Sequence, residues 1–439
     1  MTTPLRRRLG LVDAVTVGAG SMIGAGVFSA WAPAADAAGT GLLVGLIVAA
    51  LVAFCNATSS ARLAARHPEA GGTYVYARYR LGTSWGHLAG WGFIVGKTAS
   101  CVAIALTAGA YLWPDHARFV GIAAVGVVAL VNVGGLTRTV AVTKCLLAVA
   151  MVALVAFAVA GWTDPDATLD RLTPIDTAPA AVLRAGGFLF FAFAGYARIA
   201  TLGEEVRDPA TTIPKAIPRA LIAVLIVYAT VGVTLLAAAP TAAIAASDAP
   251  LRLVVATSPL HRLAPLVDVG AGIAALGVLL NLVPGISRTA LAMARRRELP
   301  HWLAHVDDRR ATPLRAELLV TAVVMVLTAT LDLRGAIGFS GVTILAYYAI
   351  TNAASLALPR DERRWPRPVA AAGLVGCVAL AVMLPLASLV TGAGVLAAGV
   401  AVRLIGSATT AGSQQPCSRN QSAWWRERSR WRGRSRSGR

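Results

Sequence analysis

Charge is scarce in this sequence. Of 439 residues, 14% are Asp, Glu, Lys or Arg, while 56% are hydrophobic. A water-soluble domain keeps about a quarter of its residues charged because its surface must be hydrated, so a soluble globular protein is excluded. Cysteine is scarce too. The five cysteines, Cys55, Cys101, Cys145, Cys377 and Cys417, include no C-x-x-C pair, which argues against a disulfide framework and against a metal site. The sequence lacks H-E-x-x-H, G-x-S-x-G and paired aspartates within apolar segments, so a membrane enzyme is not expected. Neither is a cofactor.

Acidic residues are outnumbered, 21 against 40 Lys and Arg, for a net charge of +19. Such an excess raises nucleic acid as a partner, but its distribution points elsewhere. Eight arginines crowd residues 419–439, and most of the others lie between apolar segments. That is how cytoplasmic loops beside anionic lipid look. Lipid is therefore the expected macroscopic partner, and nucleic acid is not.

What the sequence has in abundance is long apolar runs. An apolar stretch of about 18 residues or more spans a hydrocarbon core. Twelve spans are expected, near 11–32, 40–62, 86–113, 119–134, 139–161, 181–203, 216–239, 265–291, 314–331, 337–358, 368–386 and 388–406. The basic opening MTTPLRRR could begin a leader, but the run behind it continues to Phe28 and is expected to stay as the first spanning helix. With the N-terminus inside, the inner loops hold twenty-one Lys and Arg and the outer segments six. The bias predicts both termini in the cytoplasm of a cytoplasmic-membrane protein.

Two spans differ from the rest. The first contains GAGSMIGAGVF, with Gly18, Gly20, Gly24 and Gly26 at mid-membrane, and the sixth contains FFAFAGYARIATLGEE, with Gly195 near its middle. Glycine costs a helix about 1 kcal/mol relative to alanine, so both helices should be interrupted there. Small residues also serve close helix packing. Position separates the two readings, because spans 1 and 6 are corresponding members of two five-helix halves, and matched interruptions mark a carrier site on an inverted repeat. An unwound turn frees amides for a carboxylate and carbonyls for an ammonium group. A zwitterion satisfies both sets.

Four segments, in order along residues 10–405, resemble the amino acid–polyamine–organocation superfamily of transporters, in the branch holding the cationic amino acid transporters: GAGSMIGAGVF (Gly18 to Phe28), PEAGGTYVYARYRLG (Pro68 to Gly82), FFAFAGYARIATLGEEVRDPATTIPKAI (Phe190 to Ile217) and RTALAMARRRELPHWLAHVDDRRATP (Arg288 to Pro313). The resemblance implies an all-α polytopic membrane fold of about twelve helices. Residues 11–161 and 181–358 would be two inverted five-helix repeats (LeuT-like), with helices 1 and 6 broken. Residues 368–406 would add two helices, with 1–10 a cytoplasmic N-terminus; outside the resemblance, 407–439 has too few apolar residues to pack a core and is expected as a disordered basic tail. The resemblance implies a secondary permease for an amino acid or related amine, working by alternating access and coupled to protons. Exchange without proton coupling and a non-transporting receptor are the rival expectations.

Carried over by position, the substrate carboxylate would meet the amides of Gly24, Ala25 and Gly26, next to Ile23. Its ammonium would meet carbonyls near Met22, Phe191 and Ala194, beside Gly195, and Phe191 and Tyr196 would serve as gate or pocket residues. Where cationic transporters carry an acid after the G-F pair of helix 6, this chain has Ala197 followed by Arg198, which disfavours a cationic substrate. Lys144 in span 5 would be the proton-coupling group, tying helix 1 to helix 8. Lys97 in span 3 requires a partner among backbone carbonyls or acids. Glu204 and Glu205 are expected to pair with Arg78 or Arg207, or to remain solvated. Asp13 is expected as a helix-terminal charge.

Overall fold

The computed structural model describes residues 10–66, 71–133, 140–173, 177–196, 206–307, 312–359 and 365–411. Apart from one bridge between Asp307 and Thr312, its regular structure among the described residues is helical. Apolar surroundings offer the backbone no hydrogen-bonding solvent, and helices satisfy their own amides and carbonyls. Residues up to Val400 form one compact unit, and those from Ala401 onward belong to a second.

The first predicted span is two helices, α1 (Leu11–Met22) and α2 (Ala25–Ser29), followed by α3 (Trp31–Ala38). The second predicted span is α4 (Leu42–Arg66). A short helix α5 (Thr73–Arg80) leads into the long α6 (Thr83–Leu112), and α7 (Ala117–Val133) and α8 (Val140–Trp162) complete the first half. The sixth predicted span begins as α9 (Pro179–Phe193), with proline at its first turn, where a missing amide costs nothing. Next come α10 (Pro209–Ala238), two short helices α11 (Thr241–Ala246) and α12 (Pro250–Thr257), and α13 (Ala264–Arg295). The chain then runs through α14 (Leu314–Thr330), α15 (Leu333–Leu356), α16 (Arg367–Met383) and α17 (Leu386–Ala411).

Among the described residues nine helical stretches are long and apolar enough to cross a membrane, and Pro179–Phe193 and Arg367–Met383 are shorter apolar helices. The protein is therefore a polytopic helical membrane protein. The turn between the last two helices is tighter than the sequence suggested: only Leu384 and Pro385 separate α16 from α17. Large apolar side chains such as Leu130, Ile226, Val326, Val375 and Leu386 stand exposed, as lipid-facing positions must.

Inside, α6 runs nearly buried along its whole length and packs against α7, α13 and α15. The broken first span lies against α6, α8, α9, α10 and α13. Small residues allow these approaches. A side chain at Gly109 would strike the Ala117 backbone, and one at Gly270 would strike Ala153. Between α4, α15 and α16 a buried polar knot holds the helices in register: Ser59 donates to Asn352 (2.7 Å), and Asn352 donates to Asn56 (2.6 Å).

Candidate functional site

The first span breaks at Ile23 and Gly24, midway along the glycine-rich run. Ile23 leaves the helical region at φ −75°, ψ 77°, and Gly24 is extended at φ −136°, ψ −147°. The Gly24 amide turns back onto the Met22 carbonyl at 2.8 Å. Among the described residues no acceptor is aligned with the amides of Ala25 or Gly26, the first two of α2. The sixth span stops being α-helical after Phe193 and turns through Ala194, Gly195 and Tyr196. Ala197, Arg198, Glu204 and Glu205 lie outside the described residues.

The two breaks lie on each other. A Cβ added at Gly195 would sit 2.0 Å from the Ser21 carbonyl oxygen, and one added at Gly26 would sit 2.6 Å from Ala192 Cα. At Gly24 a Cβ would fall 2.2 Å from Val278 Cγ2 on α13. Glycine is required at Gly26 and Gly195 because backbone meets backbone at close range, while at Gly24 it leaves room for the Val278 side chain. Met22, Ile23, Ala25, Phe191, Ala194 and Tyr196 are buried around this crossing.

The Met22, Phe191 and Ala194 carbonyls already have donors. Tyr228 on α10 donates at 2.7 Å to the Met22 carbonyl and lies 3.0 Å from that of Ala192, so one hydroxyl bridges both breaks. The Phe191 carbonyl accepts the Ala194 amide at 3.3 Å. The Ala194 carbonyl accepts from Lys97 Nζ on α6 at 3.2 Å and from the Tyr348 hydroxyl on α15 at 3.3 Å. Lys97 thus has its partner, a backbone carbonyl. Rings buttress these donors: Phe193 stands edge-on to Tyr228, while Tyr348 lies against Phe190, Tyr196 and Tyr347. Among the described residues the buried Tyr196 hydroxyl has no aligned hydrogen-bond partner and lies beside Tyr348.

Lys144 on α8 is farther from the crossing than its expected role suggests. It is about half exposed and pairs with Asp13 at 2.8 Å, in the first turn of α1. Asp13 also accepts the Gly10 amide at 3.2 Å, which caps that helix. Lys144 therefore touches the first span, at its beginning.

A second cluster gathers where α5, α6 and the segment after α13 meet. Arg78 is ion-paired with Glu298; its expected pairing with Glu204 or Glu205 lies outside the described residues. His87, fully buried at the start of α6, brings Nδ1 to 3.5 Å from Glu298 Oε2 and Nε2 to 3.0 Å from the Gly399 carbonyl. The Arg296 guanidinium lies over the Tyr74 ring at 5.6 Å. Burial works to raise the Glu298 pKa, but His87 and the charge of Arg78 outweigh it and hold the carboxyl below its ordinary value. Burial, reinforced by that carboxylate, pushes the Tyr74 phenol up to about 12. Glu298 and His87 carried no motif of their own in the sequence, since their pairing joins positions more than two hundred residues apart.

A many-helix membrane protein whose first and sixth spans are interrupted face to face has the makings of a carrier. The chain belongs to the amino acid permease family, whose model matches residues 9–405. It is 56% identical over 398 residues, 90% of each chain, to an uncharacterized transporter of Mycobacterium tuberculosis. It is 25% identical to the branched-chain amino acid permease of Bacillus subtilis, over 86% of each chain. To cationic amino acid transporter 7, chloroplastic, of Arabidopsis thaliana it is 25% identical, over 80% of this chain and 65% of the relative. Family membership makes the protein a transporter rather than an enzyme.

Proposed function

We propose that the protein carries an amino acid across the cytoplasmic membrane by alternating access, with the substrate held where the two broken spans cross. The observation that carries this reading is the pairing of unsatisfied amides with crowded carbonyls at one place. The Ala25 and Gly26 amides, beside Gly24, suit a carboxylate. The Met22 and Ala194 carbonyls suit an ammonium group once a protein donor moves aside. Phe191, Gly195 and Tyr196 line the same crossing, and Tyr196 supplies a hydroxyl for a substrate side chain.

The repeat architecture, the inward termini and proton coupling belong to this proposal. Lys144 is its proton-coupling group, acting through Asp13 on the first span. Lys97 inside the bundle, and Arg198 by its place in the sequence, make a neutral amino acid the preferred substrate over a cationic one. The name of the Bacillus branched-chain permease accords with that preference, while that of the equally similar Arabidopsis cationic transporter does not.

Reconstituted vesicles test it. Labelled leucine, alanine, lysine and glutamate are offered with and without an inward proton gradient. Saturable leucine or alanine uptake, enhanced by the gradient, is expected. Uptake of none of the four overturns the transport reading, and uptake indifferent to the gradient removes proton coupling.

A further inference from the structure

We propose that Lys97 is a tethered stand-in for the substrate's ammonium group, filling the Ala194 carbonyl while the carrier is empty so that the empty carrier can reorient. This rests on the transport reading above and concerns one step of it, the return without substrate.

Several carbonyls released at the crossing have donors from the chain itself. The Met22 carbonyl receives the Gly24 amide and the Tyr228 hydroxyl, and the Ala192 carbonyl lies 3.0 Å from the same hydroxyl. The Ala194 carbonyl receives Lys97 and Tyr348. A carbonyl oxygen has two lone pairs, so the Ala194 oxygen is full. A substrate ammonium group reaches it only when one of those two donors leaves.

The two donors differ in kind. Tyr348 is a neutral phenol on a short stem, held between the rings of Phe190, Tyr196 and Tyr347. Lys97 is a point charge on a flexible four-carbon stem. Its side chain is buried, at 6% exposure, and the Ala194 carbonyl is its one hydrogen-bond partner among the described residues. No carboxylate among them forms an ion pair with it. A second ammonium group arriving at that oxygen repels Lys97 and does not repel Tyr348. Lys97 is therefore the donor that yields, and its return refills the oxygen when substrate departs.

A carbonyl that loses its charged donor and keeps only the Tyr348 hydroxyl is left half-filled in an apolar interior, which is costly. A carrier without Lys97 meets that cost only on the empty return, because a loaded carrier fills the oxygen with substrate. The prediction separates two transport modes. Uptake into vesicles containing no substrate needs the empty return, and exchange against internal substrate does not.

The experiment compares wild type, Lys97→Met, Lys97→Gln and Lys97→Arg in reconstituted vesicles, using labelled leucine with and without internal leucine. Size-exclusion profiles and thermal unfolding in detergent report folding. In Lys97→Met and Lys97→Gln, uptake into empty vesicles should fall about tenfold or more, as expected for losing a charged hydrogen bond at a buried acceptor. Exchange should fall much less than net uptake, so that the ratio of net uptake to exchange drops. Lys97→Arg, which keeps a cation, should keep the larger share of net uptake. An unchanged ratio of net uptake to exchange in folded Lys97→Met or Lys97→Gln overturns the inference and leaves the transport reading standing. A wild type that exchanges leucine but shows no net uptake overturns it as well. A wild type with no leucine flux in either mode overturns both.

Discussion

Glu298 holds together three parts of the chain that are distant in sequence, through its charge. Arg78 supplies the cation, and His87 faces its second oxygen while anchoring the Gly399 carbonyl with the other ring nitrogen. Because the folded-state pKa of Glu298 lies below its unfolded value, its contribution to stability is present above the unfolded pKa. It is lost as pH falls through the folded pKa. Thermal unfolding in detergent from pH 7 down to pH 3 should therefore show a loss of stability at the acid end that Glu298→Gln flattens. Arg78→Ala should cost about 1–3 kcal/mol, since it leaves a largely buried carboxylate without its cation. At the first span, Lys144→Ala should leave the fold intact and abolish uphill uptake driven by a proton gradient; full accumulation in that variant would remove Lys144 from coupling.

At the scale of the helix, the breaks are the informative feature. The interruption at Ile23 and Gly24 and the end of α9 at Phe193 both fall where glycine spacing placed them. A break is a local property of backbone, and backbone preference is what a run such as GAGSMIGAG spells out. The donors that fill the broken turns were not readable in the same way. Tyr228, Tyr348 and the target of Lys97 reach the crossing from α10, α15 and α6, and no spacing in sequence links them to Met22, Ala192 or Ala194. The pairing of Arg78 with Glu298, after α13, was likewise not readable from spacing.

The crossing predicts sharply different outcomes for glycine substitutions. Gly195→Ala drives a methyl into the Ser21 carbonyl at 2.0 Å, so transport should be lost and thermal stability should fall by several degrees, on the scale of 1–3 kcal/mol for overpacking. Gly126→Ala on α7 meets nothing within 4 Å. It should keep transport and hold or raise stability, by up to about 1 kcal/mol of helix propensity.

For the whole molecule, the sequence pattern of arginine makes a topological prediction. Twenty-one Lys and Arg on one side against six on the other should place the tail inside the cell. A cysteine introduced at Ser435 in a chain whose five native cysteines are replaced by serine or alanine should react with a membrane-impermeant maleimide only after the cells are opened. Labelling of intact cells would reverse the assigned direction. That the chain is helical and crosses the membrane many times was legible from hydropathy because lipid imposes a length on every span, while nine long apolar stretches stand among the described residues against twelve expected spans. The depth of each charge was not legible, and Lys97 and Lys144 show why. Both sit in apolar runs, yet the first is sealed inside the bundle and the second is half exposed beside Asp13.

The single hydroxyl of Tyr228 spans the Met22 and Ala192 carbonyls, and this has a mechanical consequence. A stroke that parts α1 from α9 takes one of the two carbonyls out of reach of the hydroxyl's single hydrogen, while a stroke that carries the pair together leaves both in reach. The cheaper movement keeps α1, α9 and α10 locked as one plate and swings the remaining helices around it. Tyr228→Phe would unlock the plate, and distance measurements between spin labels on α1 and α9 should then broaden where wild type gives one sharp separation.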